Sequence, residues 1–237
     1  MKTHMILAAM ASGLLVGGAQ GSVLQSVSGP VNVSGGGPGI TIIDTGNDNG
    51  DWIDSFSDVN STGTLYYSFT MEAQAFANAN AAGSFGGLHL LLGGAENLLV
   101  GNNWNASAWS VGGGIGDQDL ATSNPDDGVP YERIDIGESH TLTVRIDFNA
   151  GADDDITVWL DPIAGSEGGQ PASLTTSFSG NAQFDMVNLR AGNDATAYEY
   201  TNVVFGTTFG DVNVPEPGSL ALMGLGGLAL LRRRRSA

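Results

Sequence analysis

The sequence predicts an all-β protein, built as a single antiparallel β-sandwich. Three observations predict it. Apolar residues alternate with polar ones along several segments, no part of the body keeps a helical period, and 36 glycines leave turns at short intervals. With no cysteine in 237 residues, disulfides, thiolate metal sites and a cysteine nucleophile are excluded. The fold must rest on a hydrophobic core, which a body of this size can supply.

In chain order, "GITIID" at 39–44 is the first strand. In "TLYYSFTMEAQAF", Leu65, Tyr67, Phe69, Met71, Ala73 and Ala75 recur at every second position and mark a strand with one buried face. "GGLHLLLGG", "ENLLVGN" and "SAWSVGG" follow. "HTLTVRIDF" places Leu142, Val144, Ile146 and Phe148 on one face, with Thr141, Thr143, Arg145 and Asp147 on the other. "DITVWLDP" continues with Ile156, Val158 and Leu160, so "NAGADDD" between them is a hairpin loop. "FDMVNLRAG" and "YEYTNVVFG" complete at least nine strands. "QDLATSNPDDGVP" and "GSEGGQPAS" are polar loops. Half-apolar strands in this number bury their faces most simply as two packed sheets.

The hairpin "HTLTVRIDFNAGADDDITVWLDP" and the later "FDMVNLRAGND…YTNVVFGTTFGDV" resemble the strand pairs of concanavalin A/laminin-G-like domains. The resemblance covers about 90 residues and implies a jelly-roll sandwich over 22–213. It implies no particular activity.

The two ends differ from the body. "MKTHMILAAMASGLLVGGAQGS" has a basic start, an apolar run from Met5 to Val16, and small residues at Ala19 and Gly21. It is expected to be a signal helix over 1–21, cleaved before Ser22. At the other end the apolar run Gly218–Leu231 makes a helix of roughly 21 Å, short against about 30 Å of hydrocarbon. Arg232, Arg233, Arg234 and Arg235 can lengthen the span by snorkelling and hold the tail in the cytoplasm. Pro215 and Pro217 bar an earlier helix start and keep the preceding strip extended.

Val214-Pro215-Glu216-Pro217, the short apolar helix and the arginine cluster, in that order, resemble the PEP-CTERM sorting signal of exosortase-processed bacterial surface proteins. The resemblance covers residues 214–237. It implies a Gram-negative-type envelope, a transient inner-membrane anchor, and cleavage near the motif by a membrane-embedded exosortase. The product then goes to the cell surface or the extracellular matrix, commonly beside exopolysaccharide.

Charge narrows the partners further. Only Arg133, Arg145 and Arg190 stand against 24 acidic residues between Ser22 and Val214. Nucleic-acid backbones and anionic lipid surfaces repel such a body. Divalent cations, neutral polymers and water remain, and solubility is the plainest role of the charge.

Chemistry-bearing clusters are few, and no catalytic residue is assigned. In "ERIDIGE", Glu132 and Glu138 would share a strand face roughly 20 Å apart, with Asp135 opposite. Glycoside hydrolysis needs carboxyls about 5–9.5 Å apart. His89, within "LHLLL", reads as a core-edge residue rather than a base, and His140 begins a strand. Asp44, Asp48, Asp51 and Asp54 crowd one loop and are a Ca²⁺ candidate, without EF-hand spacing. Asn102, Asn103, Trp104 and Trp109 are a carbohydrate candidate, since a pyranose stacks on an indole while amides take its hydroxyls. Trp159 alternates with its strand's apolar set and faces outward, and Trp52 anchors its loop.

The expectation is therefore a non-enzymatic, exported and sorted protein with one acidic sandwich that binds carbohydrate. A Ca²⁺-dependent adhesion module is the alternative reading, and a glycoside hydrolase of concanavalin A-like fold the third.

Overall fold

The computed structural model describes residues 21–37, 39–44, 52–76, 84–102, 109–116, 118–120, 136–163, 166–171, 175–192 and 195–213. Strands in chain order are β1 (Val23–Val27), β2 (Val31–Ser34), β3 (Ile40–Asp44), β4 (Gly63–Ala75), β5 (Phe85–Leu92), β6 (Ala95–Asn102), β7 (Trp109–Gly112), β8 (Gln118–Asp119), β9 (Ser139–Phe148), β10 (Asp154–Leu160), β11 (Thr175–Gly180), β12 (Met186–Gly192) and β13 (Ala197–Gly206). A one-turn helix, α1 (Phe209–Val212), follows them.

The strands form two sheets. One runs β1-β13-β4-β9-β10-β11, with β2 also against β13; the other runs β3-β12-β5-β6-β7-β8. Each of these pairings is antiparallel. The chain changes sheet at β2–β3, β3–β4, β4–β5, β8–β9, β11–β12 and β12–β13. The result is an antiparallel jelly-roll sandwich.

The expected hairpin is present, with Ile156 opposite Ile146 and Val158 opposite Val144. Leu142, Val144 and Ile146 are fully buried and Phe148 nearly so, in one core with Leu65, Tyr67, Phe69 and Met71 from the neighbouring β4. Burying each such side chain contributes about 1.5–3 kcal/mol. The second sheet adds Leu88, Leu90, Leu98, Val100, Val187 and Leu189 to the same core. Trp52 packs against Phe56, Phe184 and Phe205, closing one end of the sandwich.

Four strands have no counterpart in the sequence reading: β1, β2, β8 and β11. β11 is an edge strand whose one large apolar residue is Phe178, so it shows no alternation. β8 is two residues long and falls in the segment taken as the polar loop "QDLATSNPDDGVP".

The outer face of the first sheet also departs from expectation. Thr143 is fully buried and donates to Ser68 Oγ at 3.0 Å. The reason is α1, whose Phe209 and Val212 form a second apolar cluster with Tyr66 and Trp159. Trp159 does face away from the main core, but Phe209 covers it edge-on, with ring centroids 5.2 Å apart.

Candidate functional site

The sequence-derived candidates are not gathered into one site. Asn102 ends β6, fully buried, and its Nδ2 donates to Tyr198 Oη. Trp109 begins β7 at 2 % exposure, with its ring 5.2 Å from that of His140. Alternation with Val111 turns its indole into the sandwich, so Trp109 is a core residue and not an open sugar platform. Asn103 and Trp104 lie outside the described residues. Of the Ca²⁺ candidates, Asp44 ends β3 half-buried and Asp54 is exposed in a 3-10 turn, while Asp48 and Asp51 lie outside the described residues. Among the described residues no group of three or more His, Asp or Glu is placed to hold a metal ion. Glu138 is exposed, and Glu132 and Asp135 lie outside the described residues.

His140 is fixed at the hairpin end. Its Nδ1 lies 2.7 Å from Asp161 Oδ2, while Asp161 Oδ1 accepts the Thr141 N–H at 2.8 Å. Asp161 adopts a left-handed φ of 48°, which a short polar side chain tolerates. On the outer face of the same sheet, Glu167 receives both Arg145 and the hydroxyl of Tyr66 (2.7 Å). Burial and that bond to Glu167 push the Tyr66 hydroxyl up to about 12. Both networks bind loops to strands.

A third cluster was not legible in the sequence. It lies on the non-core face of the second sheet. Across the sheet, Asn188, His89, Leu99 and Gly112 form one row, and Arg190, Gly87, Gly101 and Ser110 the next. His89 is 1 % exposed, and its Nδ1 is paired with Glu96 Oε2. Arg190 Nη1 approaches the same oxygen at 3.5 Å, and its guanidinium lies 5.1 Å from the Phe85 ring centroid, in cation–π range.

Backbone irregularity assembles this cluster. By strict alternation Glu96 would share the core face with Leu98. A β-bulge, at which Leu90 pairs with Leu98 but Leu91 with Glu96, turns it to the opposite face. Gly87 and Gly101 bring β5 and β6 close together: a Cβ on Gly87 would sit 2.3 Å from Val100 O, and one on Gly101 2.6 Å from Gly87 Cα. The row between Arg190 and Ser110 therefore carries no side chain.

The electrostatics follow from the contacts. Burial works against ionised Glu96, but the His89 hydrogen bond and the charges of His89 and Arg190 outweigh it and hold the carboxyl below its ordinary value. Among the described residues, His89 Nε2, Ser110 Oγ and Arg190 Nε are buried without a hydrogen-bond partner. Each such group costs about 1–3 kcal/mol until something satisfies it. Asn188 and Arg190 follow Val187 and Leu189 at period two, so their shared outward face was readable; the arrival of Glu96 there was not.

Similarity to known proteins bears on two regions. Residues 213–235 match the PEP-CTERM protein-sorting motif. No curated protein matches the chain. Among solved structures, the chain is similar to an endo-β-1,4-glucuronan lyase from the fungus Trichoderma reesei, at 12 % identity and TM-score 0.42, over 82 % of this chain and 90 % of that one. It is similar to the cellulose-induced protein Cip1 at 14 % identity and TM-score 0.40, over 62 % and 69 % of the two chains. It is also similar to the polysaccharide lyase family 7 alginate lyase AlgAT5 at 11 % identity and TM-score 0.39, covering 60 % of this chain but 58 % of the lyase. Among the described residues no helix is long and apolar enough to cross a membrane, and Gly218–Leu231 lies outside them. The chain thus carries a PEP-CTERM protein-sorting motif behind a jelly-roll β-sandwich.

Proposed function

We propose that the chain is a sorted surface or extracellular-matrix protein whose sandwich is a non-catalytic carbohydrate-binding module. Residues 1–21 direct export. Gly218–Leu231 and Arg232–Arg235 hold the tail in the inner membrane until an exosortase cuts near Val214–Pro217. The body from Ser22 to Asn213 then meets the exopolysaccharide outside.

The observation that carries the binding reading is the partly exposed Arg190–Glu96 pair beside the Phe85 ring on the second sheet. Sugar hydroxyls both donate and accept. They suit the solvent-facing parts of Arg190 and Glu96, each about one-third exposed, while His89 Nε2, Ser110 Oγ and Arg190 Nε lie buried beneath them. Phe85 adds an aromatic edge to this array. A body with so few cations favours a neutral or weakly charged polymer. Among its described residues the array holds one carboxylate, Glu96, already engaged by His89 and Arg190, whereas glycoside hydrolysis uses two at about 5–9.5 Å.

The test is co-sedimentation of the exported protein with polysaccharides, with and without chelator, alongside Arg190→Ala. Binding that survives chelator and falls about tenfold or more in R190A, at unchanged melting temperature, is expected. Loss on chelation transfers the role to a Ca²⁺-dependent adhesion module. Release of new reducing ends replaces the module with a glycoside hydrolase. Equal binding by R190A overturns the assignment to this face.

A further inference from the structure

Both ends of the sandwich converge on Asp211. The Ser22 N–H donates to Thr207 Oγ1 at 2.9 Å, and the Thr207 N–H donates back to Ser22 O at 3.1 Å. Asp211 Oδ2 accepts from Thr208 N and Thr208 Oγ1, both at 2.8 Å, from Thr207 N at 3.2 Å and from Thr207 Oγ1 at 3.4 Å. These bonds fix the carboxylate in place. Gly21 lies directly against it: a Cβ there would fall 2.2 Å from Asp211 Oδ2 and 2.3 Å from Thr208 Oγ1. Among the described residues no lysine, arginine or histidine pairs with Asp211.

We propose that Asp211, with Thr207, is the receiving site for the α-amino group that forms at Ser22 when residues 1–21 are removed. This rests on cleavage after Gly21. Hydrolysis of the Gly21–Ser22 bond gives Gly21 a carboxylate, which departs with the leader, and leaves an ammonium with three donors on Ser22. One donor keeps the direction of the present N–H, toward Thr207 Oγ1. Another takes the direction of the broken bond, into the space Gly21 occupied beside Asp211. A neutral peptide N–H thereby becomes a cation next to an immobilised carboxylate. A charge-assisted pair of this kind is stronger than the neutral bond it replaces.

The pair also spans the two processed ends. Asp211 lies in α1, the turn that leads directly into the sorting strip at Val214. Removing the leader therefore fastens the point from which the strip leaves the body.

The test titrates the unmodified α-amino group through the pH-dependent Cα chemical shift of the first residue in the ¹³C-labelled chain in detergent, with a leader cut in vitro directly before Ser22. Three proteins are compared: this parent, Asp211→Asn, and a chain that retains Gly17–Gly21 ahead of Ser22, which carries its α-amino group four residues beyond the glycine that touches Asp211. An ordinary α-amino group titrates at about 7.7–8.0. The parent is expected about one unit or more higher, and the other two in the ordinary range. The extended chain keeps Asp211 and its helix cap, so it reports on the site even if D211N unfolds. An ordinary value in the parent overturns the proposal. Mass spectrometry of the naturally exported protein separately reads the first residue. A start other than Ser22 refutes the cleavage position without altering the result for the receiving site.

Discussion

Asp154 accepts the backbone N–H of Ala182 at 2.8 Å, joining the start of β10 to the segment that leads into β12. The same carboxylate accepts the Asn149 N–H at 2.9 Å and lies 3.4 Å from Gln183 Nε2. It is fully buried. One side chain therefore satisfies a hairpin loop and the crossover from the first sheet to the second, where neither backbone N–H has a strand partner.

Replacing Asp154 with alanine leaves the buried Ala182 N–H and the half-buried Asn149 N–H without acceptors, and should cost about 1–3 kcal/mol. The cost depends on pH. Burial pushes the Asp154 carboxyl up, against the N–H bonds from Asn149 and Ala182 that pull it down. A raised folded value means that this group's titration-linked stability is complete below its ordinary value near 3.8 and is lost as pH rises through the folded value. Urea midpoints of parent and D154A should therefore differ most in acid and less toward neutral pH. A gap that widens toward neutrality would contradict this account of the buried carboxyl.

Glu96 should behave in the opposite way. Its folded value is lowered, so its contribution is present above the ordinary value of 4.5 and is lost as pH falls through the folded value. Glu96→Gln should cost about 1.5–3 kcal/mol at neutral pH, the range for a hydrogen bond to a charged group. The loss should fade in acid. Thermal melts of parent and E96Q across the acid range check this. A constant difference would mean that the side chain's packing, and not its charge, is what the fold uses.

The contrast between β9 and Glu96 shows what the sequence could disclose. Period two is a backbone property, so "HTLTVRIDF" announces its buried face wherever the strand stays regular. Glu96 changes face at a bulge, and no residue in "AENLLVGN" signals one. Trp109 departs from expectation for a different reason. Its asparagine neighbours suggested a wet stretch, but alternation with Val111 already placed the indole inside. Trp159 shows the limit of alternation: it identified the outward face correctly and could not foresee that α1 would cover it. β11 escaped because an edge strand needs only Phe178 to reach the core.

The last prediction concerns sorting, and it starts from the end of the body. α1 is pinned to the first sheet by Phe209 and Val212, and Asn213 Nδ2 donates to Ile163 O at 3.1 Å. The strip that follows is thus tethered at a fixed place. Pro215 and Pro217 lack N–H groups and restrict the residues before them, so the sequence expectation is an extended strip whose backbone a sorting enzyme would bind as a strand. Replacing Pro215-Glu216-Pro217 with alanines removes both barriers. Helix can then run from α1 into Gly218–Leu231, the extended strip disappears, and full-length protein should accumulate in the membrane. Changing Arg232–Arg235 to glutamines acts at the other side of the bilayer. If Gly218–Leu231 forms the 14-residue helix of roughly 21 Å that its sequence predicts, it depends on those arginines for its depth and for cytoplasmic retention, so the tail should slip outward uncut. Both variants and the parent are compared by blotting membrane and medium fractions in a host with an exosortase. The parent should lose its tail and leave the membrane fraction, whereas each variant should keep its tail, the alanine form in the membrane and the glutamine form released. Equal processing of all three would mean that neither the extended strip nor the depth of the helix is what the enzyme reads.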